Sequence, residues 1–376
     1  MSEHFLFENL TWPEVAALDL DTPLILPLGE GYSIEKISPA LGNPEKIGWL
    51  PAIPYGWKGS QVEVGGDILA ACLENLTGSM KEDGFQRVVI LLPRGIDFRP
   101  SGETLIADAE GSHVSMMFNS EDLEKVVLIP IGQTEQHGYH LPLNVDTVCI
   151  KAIMDGTGAA IPGKAFCLRV FPYGVSTHRS SFAGTFNMGG RIFEDFFLAV
   201  VDWLNNFGYK RIYLNSGHGG NVSFLVNVVK YAGERYPDGF CATTWLYLNG
   251  PEGVKSLEDH RQSAIGGMGH ACELETSLML YLRPELVHIE RVVDETDFIS
   301  TPSYVMDWNE SGALAANPPW LDDTFSGAYG AGSLGTAEKG AIWLQDAINE
   351  KIGHVDEIIF QHTQRTVKKQ HRLNTW

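Results

Sequence analysis

The sequence has little positive charge. Its 376 residues include 27 lysines and arginines against 47 aspartates and glutamates, which gives a formal net charge of −20. A nucleic-acid-binding protein needs a basic surface, so this balance argues against a nucleic-acid partner. The chain also lacks an apolar run as long as a membrane-spanning helix, and we therefore expect no membrane partner.

Signals for secretion and for a serine nucleophile are missing as well. The first ten residues, MSEHFLFENL, have neither the basic start nor the apolar core of a signal peptide. No G-x-S-x-G motif occurs, which excludes an esterase built on a nucleophile elbow. The cysteines are odd in number and show no paired spacing, so we expect a reduced, cytoplasmic protein. They are Cys72, Cys149, Cys167, Cys241 and Cys272.

Short apolar runs alternate with amphipathic stretches along the chain. One such stretch, residues 191–208, has helical periodicity and ends in Gly208, a typical residue at a helix C-terminus. Alternation of apolar strands with helices predicts an α/β layered fold with a largely parallel sheet. The predicted strands are residues 22–29, 85–93, 124–132, 165–174, 210–217 and 240–248.

The two halves of the chain share landmarks in the same order. LPLG at 26–29 matches IPIG at 129–132, and PYG at 54–56 matches PYG at 172–174. Each half then has a Gly-Gly pair followed at equal distance by another glycine and a strand. We interpret this as a diverged duplication, with a structural N-terminal unit at 1–120 and a catalytic domain at 121–376. The alternative is that these landmarks recur by chance, because all α/β folds repeat similar patterns of strands, helices and turns.

Candidate metal ligands follow the strands of the second half. Glu135, His137 and Asp146 come after the strand at 124–132, and His218 lies in the NSGHGGN segment after the next one. HACELETSLML, from His270, has helical periodicity. It would place His270 and Glu273 on one helix face. Imidazoles and carboxylates suit zinc, iron or manganese, and a bridging carboxylate would bring two ions close enough to share a hydroxide. Taken singly, each residue would more often be a solvated surface group.

Five blocks of the chain resemble the creatininase family, in family order, between about residues 123 and 350. TEQHGYHLPLNVDT is similar to the family signature TEQHG-HLPL-TD, and SGHGGN to NGHGGN. HACELETS, FPYGVSTHRSSFAGT and GSLGTAEKG resemble three further family blocks. The resemblance implies a three-layer α/β/α fold, to which this chain adds a smaller N-terminal α/β unit, and an oligomeric, cytoplasmic hydrolase.

The resemblance also implies roles for individual residues. Glu135, Asp146 and His218 would bind one divalent ion. His137, Asp146 and Glu273 would bind the other, with Asp146 as the bridge. His270 matches the proton-transferring histidine. The sequence does not decide between Glu273 and Glu275 for the last ligand, since in creatininase itself this carboxylate comes from the slot that is Gly220 here. Zinc is the first choice of metal, with manganese or iron as alternatives.

This sequence departs from the family pattern in one informative place. His178 and Arg179 stand where the family has Glu-His, and we expect them to contact substrate, with a surface ion pair as the alternative. Trp245 and Trp308 are left outside the site, because tryptophans are more often core or interface residues.

The sequence thus predicts a homo-oligomeric amidohydrolase that cleaves a non-peptide C–N bond of a small cyclic or linear amide, through a hydroxide shared by two ions. A deformylase acting on a formamide of a nucleotide or amino acid is one alternative. A non-catalytic scaffold that has kept the fold is the other.

Overall fold

The computed structural model describes residues 2–60, 62–109, 118–177, 182–309 and 312–374. Residues 373 and 374 are described by their backbone only. The strands are β1 Glu3–Leu6, β2 Leu24–Pro27, β3 Lys46–Trp49, β4 Val88–Pro93, β5 Glu103–Ala107, β6 Val126–Ile131, β7 Ala165–Cys167, β8 Arg211–Ser216, β9 Phe240–Thr243, β10 Met268–His270 and β11 Tyr329–Gly330. The helices are α1 Trp12–Ala16, α2 Ile34–Ala40, α3 Gly66–Glu82, α4 Val145–Ala160, α5 Gly190–Phe207, α6 Gly219–Arg235, α7 Pro251–His260, α8 Glu273–Leu282 and α9 Ala337–Asn374.

Two parallel sheets carry the fold. The first has the strand order β1-β3-β2-β4-β5 and the second the order β7-β6-β8-β9, while β10 and β11 form a small antiparallel pair. Every residue of β4 and of β6 is buried, as expected for parallel strands that are covered on both faces. The structure confirms the α/β class with a largely parallel sheet.

The pleat of β6 shows how helices cover both faces of the second sheet. Val127 and Ile129 belong to one core cluster, which includes buried side chains of α3 and α5. Val126 and Leu128 belong to another, with side chains of α4, α8 and α9. Successive side chains of a strand point to opposite faces, so the strand is apolar throughout and lies between two helical layers. In the described part of the chain, no helix is both long and apolar enough to cross a membrane.

All six predicted strands are present, and α5 ends at Gly208 with φ of 124° as its C-terminal glycine predicts. Sequence reasoning missed β1, β3 and β5. These strands are short and lie in the outer part of the first sheet, and β1 and β5 are partly exposed, so none of them shows a continuous apolar run.

The shared landmarks of the two halves have a structural counterpart. Leu26 pairs with Ile90 in the first sheet, and their counterparts Ile129 and Leu214 pair in the second. The bridge from Leu28 to Ile53 likewise recurs between residues 131 and 171. The order β3-β2-β4-β5 matches β7-β6-β8-β9 strand for strand. The division of the chain at residue 120 stays a prediction, because one core cluster contains side chains of both sheets.

The two halves pack closely where α3 and α5 meet and where Gly56 faces α5. A Cβ atom on Gly56 would lie 2.9 Å from Cζ of Phe196, and the φ of Gly56 is +119°. Gly59 also has a positive φ, +95°, but a Cβ there would meet no atom within 4 Å.

We predict that Gly56→Ala destabilises the protein more than Gly59→Ala does. Both substitutions strain a positive φ, but only Gly56→Ala overpacks the contact with Phe196, which adds about 1–3 kcal/mol. Chemical denaturation of both variants and the wild type measures this difference. Equal losses of unfolding free energy would show that the Gly56 contact does not hold the two halves together.

Candidate metal centre

The predicted ligands come together at the carboxyl edge of the second sheet. The loop after β6 supplies Glu135 and His137, and the first turn of α4 supplies Asp146. The loop after β8 supplies His218, which is also the N-cap of α6. All four residues are buried. Parallel strands place their carboxyl ends at one edge, and ligands bind there in open α/β sheets.

Asp146 lies at the centre of this cluster. Its Oδ1 atom is 3.3 Å from His137 Nε2, and its Oδ2 atom is 3.3 Å from His218 Nδ1. His218 Nδ1 is also 3.0 Å from Glu135 Oε1. Each carboxylate oxygen of Asp146 therefore faces a different imidazole, which is the arrangement of a bridging ligand between two sites.

Each histidine turns one ring nitrogen to a backbone carbonyl and the other to the carboxylates. His137 Nδ1 is 3.1 Å from the carbonyl oxygen of Glu135, and His218 Nε2 is 3.0 Å from that of Val175. A carbonyl accepts only an N–H, so these nitrogens carry a proton and the opposite nitrogen of each ring faces the cluster. Histidines that bind metals are held in this way.

Neighbouring charges shift the pKa values of the histidines and of Asp146 in the cluster. Burial lowers the pKa of His137, but Asp146 and then Glu275 outweigh burial and raise it well above its ordinary value. Burial also lowers the pKa of His218, which Glu135 and Asp146 together raise to about 10. Burial would raise the pKa of Asp146, yet His137 and His218 hold it below its usual range. The carboxylates thus stabilise the positively charged forms of the two histidines.

The donor set fits divalent ions. Three groups have donor atoms within 4.8 Å of one another: Glu135, Asp146 and His218; His137, Asp146 and Glu275; and Glu135, His137 and His270. Within the described residues, the buried atoms His137 Nε2 and Asp146 Oδ2 have no hydrogen-bond partner. Mixed imidazole and carboxylate ligands suit zinc, manganese or iron, and a shared carboxylate suits two ions.

The structure does not bring Glu273 into the cluster. Its carboxylate is 2.5 Å from Lys339 Nζ and accepts hydrogen bonds from the backbone N–H groups of Gln262 and Ser263, at 2.9 and 2.8 Å. Glu275 instead approaches His137 Nε2, at 3.7 Å. Residues two apart on a helix point in different directions, so only one of these two glutamates faces the cluster.

His270 reaches the cluster from a strand. It ends β10, and α8 begins only at Glu273, so the prediction that these two residues share a helix face is wrong. His270 Nε2 is 2.7 Å from the carbonyl oxygen of Gln136, and Nδ1 is 3.7 Å from Glu135 Oε1. His178 and Arg179 lie outside the described residues.

A cavity of about 480 Å³ opens over the cluster. Trp245, Trp308 and Trp320 line it together with Glu135 and His270. The prediction left Trp245 and Trp308 outside the site; the structure places both in the wall of this cavity, Trp308 as a buried core side chain. Their segments are irregular and distant in sequence, and no local pattern indicated that they meet at this cavity.

The N-terminal segment of the chain contacts the loop between β6 and α4, which carries candidate ligands. The carbonyl oxygen of Leu10 accepts a hydrogen bond from the N–H of Leu143 at 2.9 Å, and Asn9 Oδ1 accepts one from Asn144 Nδ2 at 3.0 Å. These contacts hold the residues directly before Asp146. The N-terminal unit thus contacts the site of its own chain.

Fold and site together define an α/β protein with a candidate two-metal site at the carboxyl edge of a parallel sheet. A family model described as creatinine amidohydrolase matches residues 117–354. The chain therefore belongs to the creatininase family, and it is a hydrolase of carbon–nitrogen bonds.

Two curated relatives show how far the similarity extends. A creatinine amidohydrolase of Pseudomonas putida is 29% identical over 187 residues, which cover 45% of this chain and 68% of that protein. A mycofactocin precursor peptide peptidase of Mycobacterium ulcerans is 29% identical over 174 residues, which cover 44% of this chain and 62% of that protein.

Solved structures show the same fold. A creatinine amidohydrolase homologue of Bacteroides fragilis superposes with a TM-score of 0.54 at 22% identity, covering 65% of this chain and 94% of that one. A creatininase described with manganese and a creatininase variant described as zinc–zinc type both give a TM-score of 0.51, at 23% and 24% identity, covering 64% of this chain and 91% of theirs.

We predict that Glu275→Gln lowers the content of divalent ions per chain, because an amide is a poorer ligand than a carboxylate. Glu273→Gln is the matched control. It should keep full metal content but destabilise the metal-free protein by about 1–3 kcal/mol, because Lys339 loses its buried partner. Elemental analysis and chemical denaturation measure the two effects. Loss of metal from Glu273→Gln and not from Glu275→Gln would reverse the assignment.

We also predict that metal uptake releases protons. His218, with a pKa of about 10, is protonated in the ion-free protein at pH 8, and the raised pKa of His137 favours its protonated form. A bound ion needs their lone pairs, so the protons leave and metal affinity falls as the pH falls. Calorimetric titration of Mn²⁺ in buffers of different ionisation enthalpy measures the release. Heats that do not depend on the buffer would contradict it, and His218→Asn should release fewer protons.

Proposed function

We propose that the protein is a metal-dependent amidohydrolase that cleaves a C–N bond of a small cyclic or linear amide. The observation that carries the proposal is Asp146, whose two carboxylate oxygens face His137 and His218 beneath a cavity. Family membership supports hydrolysis of a C–N bond, and the cluster supports the use of metal ions.

In this proposal Glu135, Asp146 and His218 hold one divalent ion, and His137, Asp146 and Glu275 hold the other. Two ions bound here would lower the pKa of a shared water and polarise the amide carbonyl. Relatives described with manganese and as a zinc–zinc form support zinc or manganese, with iron as a third choice.

His270 is placed to move a proton. Its Nε2–H is held by the carbonyl of Gln136, so Nδ1 is the atom that would accept a proton and return it to the departing nitrogen. Burial, and then the neighbouring His137, lower the pKa of His270, so the ring is neutral and its Nδ1 lone pair is present. The edge of the ring packs against Trp320, at 4.8 Å between centroids, which fixes its orientation.

The cavity has the size of a small-molecule site. Its volume of about 480 Å³ lies within the range of about 300–1,000 Å³ that is typical of small-molecule sites. No Lys or Arg occurs among its described lining residues, and Arg179, two residues after the lining residue Thr177, lies outside the described part of the chain. A flat amide or lactam would pack against the tryptophan side chains.

Hydrolysis of a peptide bond in a precursor peptide is a second candidate. The mycobacterial relative is a precursor peptide peptidase, and the chemistry of an amide bond is the same in both cases. A panel of lactams, linear amides and short peptides, assayed with manganese- or zinc-loaded protein, separates the two. The proposal expects turnover of a small amide, and hydrolysis of peptides alone would favour the second candidate. Metal-loaded protein inactive on every amide would favour a non-catalytic scaffold.

We predict that His270→Ala keeps its metal content and loses about 10²–10⁴-fold in kcat on the identified substrate, with a smaller change in KM, because only proton transfer is removed. His288→Ala is the control, since this half-buried histidine lies beside Glu14 and does not line the cavity. Full activity of His270→Ala would refute the assigned role. Loss of metal from this variant would instead make His270 a ligand.

A further inference from the structure

A second cavity, of about 400 Å³, opens in the first sheet. It lies at the carboxyl ends of β2 and β3, where Pro27, Gly29, Trp49 and Leu50 form part of its wall. Parallel sheets bind ligands at this edge. The residues of this cavity lie before residue 117, where the match to the family model begins, so the family does not account for them.

The position of this cavity corresponds to that of the metal centre in the second sheet. The N–H of Gly29 donates to the carbonyl of Ile53 at 2.9 Å, and the N–H of Gly132 donates to the carbonyl of Phe171 at 2.8 Å. After these matching glycines the sequences diverge, and the first sheet has Glu-Gly-Tyr-Ser-Ile at 30–34 where the second has the Glu135 and His137 segment. The two cavities therefore offer different side-chain chemistry.

Glu8 supplies an unusual carboxyl group to the wall of this cavity. Its Oε2 atom is buried and makes no hydrogen bond within the described part of the chain. Burial raises the pKa of Glu8 to about 7. A backbone hydrogen bond and the charge of Arg283 lower the pKa of Glu8 but do not outweigh burial, so a cationic ligand at Oε2 would still reduce the cost of the buried charge.

The remaining lining fits the apolar body of such a ligand. Tyr32 and Trp49 supply aromatic surface, and the exposed Glu30 adds a second carboxylate, which is paired with Arg169 at 3.2 Å. Both ring nitrogens of His4 already have partners, Ser38 at 3.0 Å and the Trp49 indole at 2.8 Å, so His4 adds no positive charge. The described lining contains no Lys or Arg. Aromatic faces and carboxylates together attract an organic cation.

We propose that this cavity binds a small organic cation, a primary amine with an apolar or aromatic body, whose ammonium group pairs with the Glu8 carboxylate. The site is separate from the metal centre and does not depend on the hydrolytic activity.

Calorimetric titration with 2-phenylethylamine and with its neutral analogue 2-phenylethanol tests this site on the metal-loaded protein. The amine should bind the wild type at least about tenfold more tightly than the alcohol, and Glu8→Gln should remove that preference. Glu74→Gln, which changes an exposed carboxylate on α3, is the matched control and should bind as the wild type does. Metal content should be unchanged in both variants.

A second variant covers the case in which Glu8→Gln does not fold. Ala52→Phe fills the cavity from its wall and should abolish binding of the amine and of the alcohol. Equal affinity of the wild type for both probes would overturn the proposal. Undiminished amine binding by Glu8→Gln or Ala52→Phe would also overturn it, because the amine would then be bound elsewhere.

Discussion

The site depends on the position of the Asp146 carboxylate between two imidazoles. Because Asp146 lies in the first turn of α4, that helix end must come very close to the ends of β6 and β8. Two glycines permit this approach. A Cβ on Gly217 would lie 2.3 Å from the carbonyl oxygen of Asp146, and one on Gly132 would lie 2.6 Å from the Cα of Thr147. Backbone that packs this tightly leaves Asp146 little freedom to move, so its carboxylate is held between the two imidazoles.

The hydrogen bonds around the cluster extend this constraint to its histidines. Asn221 Oδ1 accepts from the N–H of Val175 at 2.8 Å, and Asn221 Nδ2 donates to the carbonyl of Gly132 at 3.1 Å. Val175 in turn accepts the Nε2–H of His218. One buried amide therefore connects the loop after β6 to the backbone that orients a ligand. The second half of the chain contains the whole cluster, whereas the matching edge of the first sheet has kept the topology with different chemistry.

Much of the candidate metal centre could be predicted from the sequence, because polar motifs at the carboxyl ends of strands in α/β folds meet at one edge of the sheet. Glu135, His137, Asp146 and His218 each follow a buried strand, and the structure brings all four together. The last carboxylate was not decided by the sequence. Glu273 and Glu275 occupy the same helical turn, and which one faces inward depends on where α8 begins. That start is fixed by tertiary contacts, among them the pairing of Glu273 with Lys339 from the distant α9. The tryptophan walls of the cavity were missed because irregular segments carry no periodicity.

Anomalous diffraction from crystals of manganese- or zinc-loaded protein tests the central claim most directly. The account predicts two peaks on either side of the Asp146 carboxylate, roughly 3.5–4 Å apart, one beside His218 and one beside His137. A single peak, or two peaks that do not share Asp146, would contradict it.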